Sequence, residues 1–400
     1  MADSEWQIVD SHRPSAIGYR LFGQESFAMR VALCGGGTGG HVYPLLAVRS
    51  ALSALEHDSP DGVEWLFIGG RGIEQSLVQR ESVPYRAISG GGLHGVGLLK
   101  AIPNVARLSL GVAQAGRALA SFKPHVLLAT GGFITIPVVL AAAARRTPLV
   151  VYLPDIEPAL SVRFIGRFAE RVTATAEASQ AYFRPRQFVE TGYPVRQGLA
   201  EQAKLGPSAA RARFGIPQGR PTVLVIGGSR GARSLNRAVI ARVADLLRQA
   251  NLIHISGSGE WAEVQAARAA LPEDLQAHYH AFPYLHEEMG AAFAAADLVV
   301  SRSGASTLGE FPLFGLPSIL VPYPHAWRYQ KVNADYLARR GAAVVVRDEA
   351  LLDELHPTML NLLGDEVSLN HMRQSARALA RPAAAQAIAE AVIQTVRRHS

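Results

Sequence analysis

Cysteine and lysine are nearly missing from this chain. Cys34 is the one cysteine in 400 residues, which excludes a disulfide scaffold, a zinc knuckle and a Cys-x-x-Cys redox pair. It fits a reducing cytosol. The only lysines are Lys100, Lys123, Lys204 and Lys331, so nearly all of the positive charge is arginine. No apolar run can cross a bilayer, since the longest, Ile134 to Ala144, stops at Arg145 and Arg146. Residues 1–10 are acidic and polar and lack the basic and apolar regions of a signal peptide. There is no G-x-x-x-x-G-K-S/T loop, no D-x-D and no H-E-x-x-H, so neither a phosphate-loop NTPase nor a metal site is indicated. A soluble protein with no metal and no cofactor is expected.

Core-forming residues are plentiful. Hydrophobic residues make up 48% and charged residues 18%, enough for two or three domains at roughly 150 residues each. The net charge of +7 suits a phosphate-bearing small ligand, an anionic membrane surface or nucleic acid. Without a basic run or a nucleic-acid motif, no nucleic-acid partner is expected.

Short β-branched runs alternate with helix-period stretches, which implies parallel sheets covered by helices. Strands are predicted at Met29–Cys34, Trp65–Ile68, Val126–Ala129, Leu149–Leu153 and Val172–Thr175. The programme then restarts at Thr222–Ile226, Leu252–Ser256, Leu298–Ser301, Ser318–Val321 and Ala342–Val346. The fold class is therefore α/β, with two Rossmann-like, doubly wound parallel-sheet domains facing a central cleft. Residues 1–28 form a leader, either disordered or upstream of a true start at Met29. An N-terminal domain is expected over 29–200, a linker over 201–217 and a C-terminal domain over 218–380. The last helix, 381–400, is expected to pack back on the first domain.

Glycine-rich turns follow the first strand of each half. Gly35-Gly36-Gly37-Thr38-Gly39-Gly40-His41 lets backbone amides surround an anion at a helix start. It also satisfies G-x-G-x-x-G, but the second strand ends in Gly69-Gly70 rather than an acid, which argues against a dinucleotide. Gly227-Gly228-Ser229-Arg230-Gly231 repeats the arrangement. The third turn, Arg302-Ser303-Gly304-Ala305-Ser306-Thr307-Leu308-Gly309-Glu310, is the most informative. Ser303 is predicted to cap a helix whose free amides hold a diphosphate. Ser306 and Glu310 would lie one turn apart, the carboxylate accepting from both ribose hydroxyls. Gln330 either reads sugar hydroxyls or is a solvated helix residue.

These landmarks give the chain a resemblance. GGTGGHVYP (36–44), TGGF (130–133), PVR (194–196), GGSRGARSLN (227–236) and SRSGASTLGE (301–310) together resemble glycosyltransferase family 28. The likeness is to its inverting GT-B N-acetylglucosaminyltransferases of peptidoglycan synthesis, which turn lipid I into lipid II. The resemblance implies UDP-GlcNAc as donor and a polyprenyl-pyrophosphate-linked acceptor. It also implies peripheral attachment to the cytoplasmic, anionic membrane surface of a bacterium. By this likeness Thr38, Gly39 and Gly40 would face the diphosphate–sugar, and Arg196 and Ser229 the phosphate or uridine. Leu285 would lie beside the uracil, Ala305, Ser306, Thr307 and Leu308 would hold phosphates, Glu310 the ribose and Gln330 the sugar. The family's His-Glu-Gln-Asn is replaced here by Tyr152-Leu153-Pro154-Asp155-Ile156-Glu157, and the Asn of its G-N-P-V-R by Tyr193.

Inverting transfer needs a base for the acceptor hydroxyl and charge stabilisation for the departing UDP. His41 is the expected base, because a helix start disfavours imidazolium. Its alternative role is to bind phosphate or acceptor, with Asp155 and Glu157 in reserve as bases. The apolar stretch 93–102, with Lys100 and Arg107 nearby, either rests on lipid or packs on its own domain. Competing functions are another UDP-sugar transferase with a different lipid acceptor, a UDP-GlcNAc 2-epimerase, and an inactive nucleotide-sugar binder. Metal-independent turnover is predicted: activity should persist in excess chelator, and its abolition by chelator that added Mg²⁺ reverses would contradict this reading.

Overall fold

Both faces of each sheet are covered by helices, and this is why the strands read as unbroken apolar runs rather than as alternating ones. The computed structural model describes residues 28–56, 62–90, 98–227, 233–324 and 328–399. The first sheet contains β1 (Met29–Cys34), β2 (Val63–Gly69), β3 (Tyr85–Ala87), β4 (Val126–Ala129), β5 (Leu149–Leu153), β6 (Arg171–Ala174) and β7 (Phe188–Glu190). Its order is β3-β2-β1-β4-β5-β6-β7. The second contains β8 (Thr222–Ile226), β9 (Asn251–Ile255), β10 (Tyr279–Phe282), β11 (Leu298–Ser301), β12 (Ser318–Leu320) and β13 (Ala343–Val345), in the order β10-β9-β8-β11-β12-β13. Every pairing in both sheets is parallel.

The ten strands expected from the sequence are present within a residue or two. The three it missed, β3, β7 and β10, all lie at sheet edges. An edge strand packs against one neighbour only, so selection for a continuous apolar run is weak there. In each sheet the winding reverses beside the first strand, between β1 and β4 and between β8 and β11. The loops leaving those four strands flank the crevice in which α/β sheets hold ligands.

Two of the segments outside the sheets are built into the cores. Helix Pro207–Arg213 lies inside the stretch expected as a linker. Its Ala210, with Ile216 beyond it, joins Leu224, Phe293 and Leu320 in the second-sheet core. Arg211 anchors it further, Nε donating to the Ala295 carbonyl (3.0 Å) and Nη2 pairing with Asp297. Helix Ala384–Arg397 lies on the first sheet, with Ile388, Ala389, Val392, Ile393 and Val396 among Val31, Leu45, Leu52 and Tyr152. The last described helix thus returns to the first sheet. Residues 1–27 of the leader, 93–97 of the apolar stretch and Ser229 fall outside the described residues.

The strap formed by the last helix makes a prediction about stability. Ile388 is wholly buried, so Ile388→Ala should cost about 2–4 kcal/mol. Glu390→Ala, on the exposed face of the same helix, should stay within about 0.5 kcal/mol. Urea unfolding followed by near-ultraviolet circular dichroism checks both, and equal midpoints would show that the strap is not part of the core.

Candidate active site

The first glycine turn is held from three sides. Thr130 after β4 donates its hydroxyl to the His41 carbonyl (2.8 Å), and the Gly36 amide donates to the Gly131 carbonyl (3.2 Å). Glu74, buried on helix Ile73–Arg80, accepts from the Gly70 amide (3.1 Å) and the Gly37 amide (3.4 Å). The sequence reading overlooked Glu74, because an acid in the first turn of a helix is ordinary; its position four residues after Gly70 was the available signal. Thr38 is exposed, and Gly39 and Gly40 are half-buried in the first turn of helix Gly39–Leu55. The His41 ring lies against the backbone of Gly131, where a Cβ would come 2.9 Å from His41 Cε1. Only glycine allows that approach. Nδ1 of His41 is shut off from solvent without a hydrogen-bond partner, and burial lowers the imidazole pKa while Asp155 opposes the shift.

The third turn differs from its expected form. Ala305–Leu308 is a single 3-10 turn, and after Gly309 a separate helix, Glu310–Phe314, begins. Pro312 explains the break. A helix running on from 304 would put this proline in its interior, whereas one starting at Glu310 keeps it in the first turn. Ser303 is not a cap: its hydroxyl donates to the Gln330 carbonyl (2.7 Å). The amides of Thr307 and Gly309 close turns onto the carbonyls of Gly304 (3.0 Å) and Ser306 (3.1 Å), and the Thr307 hydroxyl also turns back to Gly304 (2.7 Å). Those two amides are therefore spent within the turn. The Ser306 hydroxyl nonetheless lies near enough to Glu310 to favour its ionised form.

Around Glu310 the two halves of the chain converge. Arg196, ahead of helix Gln197–Gln202, lays its guanidinium 4.3 Å from the centre of the Tyr43 ring, and its Nε is buried without a partner. Burial raises the Tyr43 phenol, and Tyr284 nearby adds to the shift. Next to Tyr284, Leu285 is buried among Leu224, Phe293 and Leu308. Tyr193 packs on Gly309, where a Cβ would come 2.6 Å from that of the tyrosine. Burial pushes Glu310 up to about 7, with the Arg196 charge and the Ser306 hydroxyl pulling against it. Gln330 accepts from the Tyr323 amide (2.9 Å) through its side chain.

A further contact joins the halves. Asn333 accepts from the Ile156 amide (3.1 Å), and its amide nitrogen donates to Asp155 Oδ1 (2.8 Å) and the Ser303 carbonyl (3.2 Å). Glu157 pairs with Arg328 (2.6 Å) and Arg163 (3.4 Å). Among the described residues, no three histidine, cysteine or carboxylate groups gather as metal ligands, and no helix is long and apolar enough to cross a membrane.

Two family models match, the glycosyltransferase family 28 N-terminal domain over residues 31–174 and the family 28 C-terminal domain over residues 222–391. The chain belongs to glycosyltransferase family 28. A family relative from Roseiflexus sp. (strain RS-1) is 40% identical, covering 90% of this chain and 94% of the relative. It is called a UDP-N-acetylglucosamine–N-acetylmuramyl-(pentapeptide) pyrophosphoryl-undecaprenol N-acetylglucosamine transferase. Among solved structures, MurG of Acinetobacter baumannii superposes with a TM-score of 0.71 at 24% identity, covering 92% of this chain and 99% of that one. A putative UDP-N-acetylglucosamine 2-epimerase of Listeria monocytogenes reaches 0.62 at 14% identity, covering 94% and 98%. At these identities the structural likeness speaks for the fold, which is the two-domain GT-B arrangement of family 28.

Glu310 gives this site a pH signature. Its folded-state pKa of about 7 lies above the ordinary 4.5 of a glutamate, so the folded chain holds the proton more tightly. The associated stability is complete below about pH 4.5 and is lost as pH rises towards 7. Glu310→Gln should remove this loss, gaining on the order of 1 kcal/mol over wild type between pH 5 and 8. Parallel pH-stability curves for the two proteins would place the carboxyl in water.

Proposed function

We propose that this family 28 enzyme moves N-acetylglucosamine from UDP-GlcNAc, with inversion, to the muramoyl C4 hydroxyl of a polyprenyl-pyrophosphoryl-MurNAc-pentapeptide. This is the step from lipid I to lipid II. The 40% identity to a transferase of that name over nearly the whole chain supports the reaction. The observation that carries it is the convergence of Glu310 and Arg196 on one cleft with the His41 loop, a titratable base opposite a nucleotide-holding turn.

On this reading Glu310 receives the ribose hydroxyls, and Leu285 borders the uracil. Arg196 and the turns at 38–40 and 305–308 face the diphosphate and balance its charge as UDP leaves. Gln330 and Ser229 complete the donor contacts. His41, kept neutral by burial, can accept the hydroxyl proton at pH 7. Because the acceptor carries a polyprenyl chain, the enzyme works at the cytoplasmic membrane surface as a peripheral protein. The cation-flanked stretch 93–102 and the exposed Phe133 and Leu160 are its candidate contacts with anionic lipid.

The test is incubation with radiolabelled UDP-GlcNAc and a lipid I analogue. Disaccharide lipid supports the proposal, whereas UDP-ManNAc would indicate the epimerase and no product a binding protein. His41→Ala should lower turnover by roughly a hundredfold with UDP affinity retained; unchanged turnover removes His41 from the role of base.

A further inference from the structure

The first glycine turn creates a problem that Glu74 solves. Five glycines in the six residues 35–40 allow close approach to neighbouring backbone, but each is costly to hold in one conformation. Gly37 sits at φ +87°, and nothing lies within 4 Å of where its Cβ would be. Its conformation must therefore be held by its backbone, and the turn after β2 supplies the partner. Glu74 is only 4% exposed, at the second position of helix Ile73–Arg80. Its Oε2 accepts from the Gly37 amide (3.4 Å) and its Oε1 from the Gly70 amide (3.1 Å). Gly70 is itself pinned, since its carbonyl accepts from the Tyr85 hydroxyl (2.6 Å).

Glycines close around this carboxyl group. A Cβ at Gly70 would come 2.6 Å from Oε1, one at Gly72 2.6 Å from Oε2 and one at Gly36 3.1 Å from Oε1. Glycine at these three positions is thus explained by a side chain of the protein. The same contacts account for the G-x-G-x-x-G pattern without a dinucleotide. In a dinucleotide site an acid at the end of the second strand reaches a ribose. Here the first acid after β2 is Glu74, and it turns back onto the glycine turn.

We propose that Glu74 is a positioning residue, which tethers Gly37 so that Thr38, Gly39, Gly40 and His41 meet the cleft in one conformation. The proposal rests on the transfer reading above, in which those four residues face the reacting centre. Two other points of the turn are fixed by different means: Thr130 holds the His41 carbonyl, and the Gly131 carbonyl holds the Gly36 amide. Between them, Gly37 depends on the carboxylate. Glu74 touches neither sugar nor nucleotide in this role. A carboxamide cannot replace it, because both of these partners are N–H donors and a glutamine would turn its own NH₂ towards one of them.

Glu74→Gln keeps the shape and spoils one of the two hydrogen bonds; Glu74→Ala removes the group and leaves room for formate, which carries the same pair of oxygens. Three readouts on the full-length protein separate positioning from mere structure: kcat with donor KM, hydrogen–deuterium exchange of the segment 35–41 without substrate, and recovery of Glu74→Ala by formate against equal chloride. In Glu74→Gln we expect kcat to fall about tenfold or more with donor KM within about twofold. Exchange over 35–41 should quicken about tenfold or more, while β4 and β5 exchange as in wild type. Formate should slow that exchange in Glu74→Ala and raise its kcat saturably, and chloride should do neither. Gln79→Ala, on the exposed side of the same helix, should match wild type in all three. Wild-type exchange over 35–41 in Glu74→Gln overturns the tether, as does an unchanged kcat. Exchange that quickens equally throughout the first sheet, with no recovery in formate, shows a plain fold contact and overturns it too. Because the exchange measurement needs no sugar donor or acceptor, absence of disaccharide product from wild type would sink the transfer reading without touching the tether.

Discussion

A strand that runs parallel to its neighbour must be reached by a crossover, so the connections leaving its carboxyl end all emerge along one edge of the sheet. Both sheets of this chain are parallel throughout their described pairings, and both reverse their winding beside the first strand. The turns after β1, β4, β5, β8 and β11 have no other place to go. Chemistry follows from that geometry: His41 comes from the first of these turns, Gly131 from the second, Asp155 from the third and Glu310 from the last. No long-range search is required to bring them together, only the packing of one sheet edge towards the other.

That packing also removes water, and the consequences differ in sign from group to group. Dehydration drives His41 towards the neutral imidazole and drives Asp155 and Glu310 towards the neutral acids. Arg196 pulls Glu310 back towards ionisation, as His41 does for Asp155. Each acid therefore depends on a partner for its charge. For Glu310 the balance lies near neutrality, where a change of occupant in the cleft can tip it. A carboxylate in open water would be indifferent to such a change.

Strand positions could be read from the sequence because a strand buried on both faces leaves no polar alternation to confuse the pattern. The glycine turns could be read because close backbone approach admits few residue types. The local form of the third turn was not read correctly. Ser303 looked like a cap, yet it answers Gln330, 27 positions later in the chain. Such a partner cannot be inferred from local spacing. Pro312 was a local signal, and weighing it would have moved the helix start from Ser303 to Glu310. That the Asn333 amide reaches Asp155, 178 positions away, is a product of the fold and leaves no local trace in the sequence.

The departures from the family pattern gather in one place, and their packing argues that they form a single compensated unit. Tyr152 opens the run that stands where the resembled motif has His-Glu-Gln-Asn, Tyr193 stands for its later asparagine, and their rings meet edge to face at 6.5 Å beneath the cleft. The Tyr152 hydroxyl is taken up by Thr175 at 2.8 Å, so the larger ring brings no unpaired polar atom into the core. Tyr193 abuts Gly309, at the break between the 3-10 turn and the Glu310 helix, and both phenols border Asp155. A carboxylate set among neutral aromatic walls feels its remaining charged neighbour more strongly than one in water does. The rings of Tyr152 and Tyr193 thus give Asp155 low-polarity surroundings.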